Sequence, residues 1–416
     1  MTTDRFGNAI DPRAGYAWGQ VLRDHDDEAR RMLAGRALIR ERVARAGDGS
    51  VYNMTGLIRA FPLRPGDLAG LTSQLAYYAR WSNEAEVLAV KHMGGDGRHD
   101  AVLCNRVSSS MIAVMMAFDV RGRHVLSLVG GGRSHPSIGK AVTLCGGTFA
   151  EVTGVEALRA ALDVARDLAL VVVTPMTPQK VHLDAADVRA ATRLAKALGA
   201  PVFLDDAHMA SRMAFYDEPA SLALADADLA VWSLDKHVEG PRAAAVAGER
   251  GLVERVRARA FEYGLEAPFG HSVAALRAME AFDLRAVRET ARMARPLLDR
   301  LRAVFGARAY LAGPGVAVSG EDLLEWALER AGLARTQVVP NEAASAASFV
   351  MLREHGLVTI PTIGMPGAAA TFRLMVYPDG PRLGFDGYVR AARDGAEALA
   401  ASVGDPDGIR RLIFGA

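Results

Sequence analysis

The sequence predicts an α/β fold, with a large domain built on a mostly parallel, helix-flanked sheet and a smaller α+β domain following it. Three observations predict it. Between about residues 70 and 250, short apolar runs alternate with amphipathic stretches, the pattern of βαβ units whose helices run to about 10–15 residues. The runs are continuously apolar, as strands covered on both faces are. The chain has 416 residues, more than the roughly 250–300 at which a single core stops growing, so a second domain is required.

Taken in order, residues 1–60 read as an N-terminal helical arm, 61–290 as the large domain and 291–416 as the small one. HDAVLCN, HVLSLVG, GTFAEVTG, LALVVVTP, APVFLDDAH and DLAVWSLD read as buried strands, and SMIAVMMAF, HPSIGKAVTLC, VEALRAALDVARD and AADVRAATRLAKALG as the helices between them. Long helices over about 250–300 lead into the mixed C-terminal pattern. In such sheets ligands bind at the carboxyl ends of the strands, and the motifs below follow apolar runs by zero to a few residues.

Composition narrows the function. Forty-nine basic and 48 acidic side chains leave a net charge of +1, which points to neither nucleic acid nor an anionic membrane as partner. Two cysteines, Cys104 and Cys145, make no disulfide framework and no metal motif. The N-terminus is polar, and no apolar run reaches the ~18 residues of a membrane span, so a soluble cytoplasmic protein is expected. Lysine is rare: it stands only at 91, 140, 180, 196 and 236. Arginine cannot form an imine, so a surviving lysine raises a chemical question.

Five segments carry candidate chemistry. In VFLDDAHMAS, Asp205 ends an apolar strand, and burying a carboxylate there requires a cationic partner; a protonated pyridine nitrogen is one, with His208 in reach of the ring's phenolic oxygen. A capped loop explains the same residues. In DLAVWSLDKHVEGPRAAAVAG, Lys236 follows a strand ending in Ser233 and precedes a Gly-Pro turn. A desolvated lysine at the mouth of a buried site acts as a nucleophile toward an aldehyde, and Ser233 is placed to donate to a phosphate. In LCNRVSSSMIAVMM, Ser108, Ser109 and Ser110 open a helix whose N-terminus suits a phosphate, although serine also caps helices without any ligand. In GGGRSHPSIG, His135 is a candidate for stacking on a planar ring. In AATFRLMVYPDG, Arg373 sits in an apolar strand, where its guanidinium fork suits a substrate carboxylate or an internal ion pair.

In this order the segments resemble fold-type I pyridoxal 5′-phosphate (PLP) enzymes, the aspartate aminotransferase superfamily, over about residues 50–380. SLDKHVEGPRAAAVAG and NMTG (53–56) resemble selenocysteine synthases, whereas LDDAH and HPSIG resemble α-oxoamine synthases. The phosphate loop departs from both patterns: selenocysteine synthases carry an Asn-Asn-Asn-Ala-Ala-Ala-like run where this chain has NRVSSS. The resemblance implies a PLP cofactor bound as a Schiff base to Lys236, Asp205 on the ring nitrogen, His208 on the phenolic oxygen and His135 stacked. It implies a homodimer or higher homo-oligomer, no metal, and chemistry at the α- or β-carbon of a small amino acid. A lyase or transferase comes first, with aminotransferase, acyl-CoA condensation and a non-catalytic binding or regulatory protein as alternatives. Asn53, Arg59 and His237 are candidates for substrate contact by their nearness to these motifs.

Overall fold

A computed structural model describes residues 2–12, 14–367 and 371–415. The chain divides into two compact units, one of residues 57–287 and one of 1–56 with 288–416. The N-terminal segment expected as a separate arm is therefore part of the unit that holds the C-terminal residues. It carries a single long helix, His25–Ala46, capped by Asp24, whose carboxylate accepts from the backbone of Asp26 and Asp27.

Residues 57–287 are built on a seven-stranded sheet. Its strands in chain order are β1 (His99–Cys104), β2 (His124–Val129), β3 (Thr148–Thr153), β4 (Leu168–Thr174), β5 (Val202–Asp205), β6 (Leu229–Ser233) and β7 (Ala244–Glu249). Their spatial order is β1-β7-β6-β5-β4-β2-β3. Pairing is parallel from β3 through β6, while β7 runs antiparallel to both β1 and β6. The six strands expected from the apolar runs are present. The seventh, AAVAGE, has no run of large apolar residues to announce it, and β7 lies buried between two neighbours.

Side-chain phase along the strands sorts the core into two layers. Leu204, Val173, Ala230 and Trp232 lie in one. Phe203, Val172, Val231 and Leu170 lie in the other, together with Met111, Val114 and Met115 of helix α1 (Val107–Ala117) and Ile138 and Val142 of helix α2 (Ser137–Leu144). Asp205, Ser233 and Thr174 continue the phase of Phe203, Val231 and Val172. All three therefore end their strands on the face that α1 and α2 cover.

The other unit has a three-stranded antiparallel sheet, β8 (Tyr310–Leu311), β9 (Gly315–Ser319) and β10 (Thr371–Met375). Phe305, Phe349, Phe372 and Tyr388 are buried in its core. Residues Tyr52–Asn53 pair in parallel with Leu357–Val358, which stitches the N-terminal segment into this unit. Among the described residues no helix is long and apolar enough to cross a membrane.

Candidate active site

Asp205 and Asp206, adjacent in sequence, have opposite surroundings. Asp206 is fully buried and bound to Arg212 at 2.6 and 3.1 Å, and it accepts from Ser221 Oγ at 2.8 Å. It is a structural anion with its charge met. Asp205 is 4 % exposed and its Oδ1 has no hydrogen-bond partner. Burial pushes its carboxyl up to about 6, against the opposing pull of the Lys236 charge. A buried carboxylate oxygen left in this state is costly unless something outside the chain meets it.

Lys236 lies in the turn after β6, and that turn is held rigidly. Ser233 Oγ donates to Asp235 Oδ1 at 2.7 Å, the Ile58 amide donates to the Asp235 carbonyl at 2.7 Å, and Arg59 Nε stands 3.2 Å from Asp235 Oδ2. Leu57 bridges to Lys236 through the backbone, and the Leu234 amide donates to the Ala243 carbonyl. Gly240 closes the turn where no side chain fits: a Cβ there would lie 2.4 Å from the Leu234 carbonyl oxygen. His237 takes the left-handed conformation at φ 57° and is buried, a strained backbone of the kind that concentrates at functional sites.

His208 follows the aspartates and stands between two lysines. Its Nε2 is 3.5 Å from Lys236 Nζ, and its Nδ1 is 2.7 Å from Lys180 Nζ. His135 follows the turn after β2, and its Nδ1 is 2.7 Å from Ser137 Oγ. Burial, then the positive charges of Lys236, Lys140 and Arg106, push its pKa down to about 3, so the ring is neutral across the physiological range. Asp205, Lys236, His208 and His135 therefore meet at the carboxyl end of the sheet, around a local excess of positive charge.

The three serines of α1 divide. Ser108 is partly exposed in the first turn. Ser109 Oγ donates to Asn105 Oδ1 at 2.6 Å, and Ser110, fully buried, donates to the Arg106 carbonyl at 3.2 Å. The hydroxyl of Ser233, expected to face a phosphate, is directed at Asp235 instead. The first turn of α1 still offers the N–H groups every helix start leaves over, beside Arg106. Asn53 and Arg373 belong to the other unit. Asn53 Oδ1 accepts from the amide and hydroxyl of Thr55 at 3.0 and 2.6 Å. Arg373 is buried on β10 opposite Ala317, where burial lowers its pKa to about 10. Residues 369 and 370 of its segment lie outside the described residues.

Sequence reasoning missed Lys180, Arg106 and Thr174. Thr174 Oγ1 is buried at the end of β4 without a partner, beside Asp205 in the extrapolated register. Lys180 carried a signal in its rarity. Lys91 and Lys140 are exposed and Lys196 pairs with Asp226 at 3.0 Å, whereas Lys180 is buried and Lys236 partly so.

A family model described as the UPF0425 C-terminal domain matches residues 312–379. A UPF0425 pyridoxal phosphate-dependent protein of Methanothermobacter thermautotrophicus is 30% identical over 397 residues, covering 95% of this chain and 100% of the relative. The chain belongs to the UPF0425 family. A second member, the UPF0425 pyridoxal phosphate-dependent protein of Methanosphaera stadtmanae, is 26% identical over 374 residues, 88% of this chain and 94% of its own. Solved structures similar to this UPF0425 chain include a complex of SepCysS with the SepCysE N-terminal domain, at TM-score 0.58 and 15% identity over 87% of this chain and 97% of that one. Sphingomonas wittichii serine palmitoyltransferase matches at TM-score 0.56 and 14% identity, over 88% and 84%. The Mycobacterium tuberculosis N-succinyldiaminopimelate aminotransferase matches at 0.57 and 16%, over 86% and 96%. These likenesses show that this chain has the PLP-enzyme fold of type I.

Proposed function

We propose that this UPF0425 chain is a PLP-dependent enzyme acting at the α- or β-carbon of a small amino acid, as a lyase or transferase. One observation carries the cofactor: the buried Asp205 Oδ1, without a partner, at the same strand-end site as a lysine turn fixed by four backbone and side-chain bonds. A pyridinium N–H is the donor that this oxygen lacks.

The residues present fit the group. Asp205 would face the ring nitrogen, His208 the phenolic oxygen and the neutral His135 the ring face. The first turn of α1, with Ser108 and Arg106, would hold the phosphate, and Lys236 would be the point of attachment. When bound, PLP supplies an electron-withdrawing ring that stabilises negative charge at the substrate α-carbon. Asp205 keeps that ring nitrogen protonated by remaining ionised beside it. Lys236 Nζ takes and returns a proton at the α-carbon, and His208 Nε2, 3.5 Å from that amine, restricts where it can move. The reaction beyond this proton transfer is a narrower proposal, because the proteins that share the fold are named for different reactions, including an aldolase, a palmitoyltransferase and an aminotransferase.

The test has two parts. Purified protein should absorb in the visible range, borohydride should bleach it, and Lys236→Ala should lack the band; a variant that keeps it refutes the cofactor assignment. Incubation with single small amino acids then separates the reactions. Ammonia or 2-oxo acid released without an acceptor supports the lyase reading. A strict need for a 2-oxo acid replaces it with transamination, and CoA release from an acyl-CoA replaces it with condensation.

A further inference from the structure

Lys180 has no role in the chemistry above, yet it is the most deeply buried lysine of the chain, 5 % exposed. It comes from the loop after β4, in a left-handed conformation at φ 68° that a lysine adopts only when its surroundings demand it. The Lys180 amide donates to the Thr177 carbonyl, and Thr177 and Val181 exchange further bonds across the turn. The side chain so placed ends on His208 Nδ1 at 2.7 Å, a length typical of charge-assisted bonds. An ammonium can only donate, so the nitrogen it meets must be the unprotonated one. The remaining imidazole proton is then on Nε2, the atom 3.5 Å from Lys236 Nζ.

We propose that Lys180 is a positioning residue: its ammonium fixes His208 as the neutral tautomer with the proton on Nε2 and so presents an N–H donor toward the Lys236 amine. This deepens the PLP reading and rests on it for its purpose, though not for its geometry. Two consequences follow. A donor aimed at Lys236 Nζ favours the free-base amine, the form that attacks an aldehyde. The positive charge of Lys180, one imidazole away, acts in the same direction. The other groups around Lys236 are Asp205, whose carboxylate favours the ammonium; His135, neutral; the Asp235–Arg59 pair, largely self-compensating; His237, next in sequence; and Lys140 and Arg106, which surround His135. Lys180 opposes Asp205 on the same side of the balance as Lys140 and Arg106.

The direct test needs no variant. In full-length protein labelled with [15N]histidine and freed of any bound aldehyde, His208 should show a protonated Nε2 and an unprotonated Nδ1 at pH 7. The opposite tautomer, or an imidazolium, overturns the proposal. The second test reads Lys236 itself. The rate at which propanal and cyanoborohydride alkylate Lys236, followed by peptide mass spectrometry against exposed Lys91, should rise with pH through a midpoint. Lys180→Met, of similar length, should move that midpoint upward by roughly one unit and slow labelling below it about tenfold, the effect of losing one charge in a partly buried site. Lys180→Arg should restore most of the shift. A midpoint unmoved in a folded Lys180→Met protein, or moved equally by Met and Arg, leaves Lys180 a purely structural residue and overturns the proposal. Failure of PLP to bind wild-type protein would instead sink the cofactor reading and leave the tautomer result standing.

Discussion

Asp206 and Arg212 form a salt bridge of 2.6 Å in which neither side chain is exposed to solvent. Arg212 also meets Glu218 at 3.1 Å, and Glu218 in turn meets His182 at 3.1 Å, whose ring lies parallel to Tyr216 at 3.7 Å between centroids. The network braces the residues next to Asp205 on one side and the loop after β4 on the other. Breaking one partner strands a buried charge. Arg212→Ala should therefore cost about 3–5 kcal/mol, read as a lower denaturation midpoint, and should weaken cofactor binding only through that loss of fold. An unchanged midpoint contradicts this account of the network.

Asp205 should behave in the opposite way. In the cofactor-free protein its folded-state pKa, about 6, lies above the ordinary carboxylate value. The folded chain then binds more protons than the unfolded one between about pH 4 and 6, so stability falls as pH rises through that window. Asp205→Asn should remove the fall and leave the cofactor-free protein at pH 7 more stable, by up to roughly 2–3 kcal/mol. The same variant should lose most of its affinity for PLP. Denaturant unfolding at pH 4 and 7 separates the two effects.

His135 gives a pH dependence of the other sign. Its folded pKa near 3 is below the ordinary imidazole value, so its contribution is fully present above about pH 6.5 and is lost as pH falls toward 3. His135→Phe retains a flat ring without the titration. Its acid limb should be flatter than that of the wild-type protein, while its PLP affinity stays closer to wild type than that of His135→Ala.

The α1 serines should separate by role. Ser110→Ala removes a buried hydroxyl bonded within the helix and should cost about 1 kcal/mol of stability with PLP affinity unchanged. Ser108→Ala should leave stability near wild type and weaken PLP binding. Equilibrium titrations of the two variants, beside their unfolding curves, check both.

The sheet was legible because six of its seven strands are apolar runs that end in polar residues, and periodicity detects such runs directly. β7 was not, because AAVAGE is too small and mild to stand out, and it is a strand only through the two neighbours it pairs with. Asp205, Lys236, His208 and His135 could be found because each breaks an apolar run at its carboxyl end. Their partners could not. Whether Ser233 faces a ligand or Asp235 depends on a turn closed by Ile58, some 175 residues away in sequence. Lys180 reaches His208 from a separate loop, and nothing in TPMTPQK marks it except the scarcity of lysine. The place of the N-terminal segment was not legible either, since it depends on partners more than 300 positions away, among them Leu357–Val358, Gly364 for Arg31 and Asn341 for Glu28.

One measurement bears most directly on the whole account: borohydride reduction of the protein mixed with PLP, followed by peptide mass spectrometry. The account predicts a phosphopyridoxyl mass on the peptide containing Lys236 and on no other lysine peptide. The same mass on Lys180, or spread over exposed Lys91 and Lys140 with Lys236 unmodified, would contradict it.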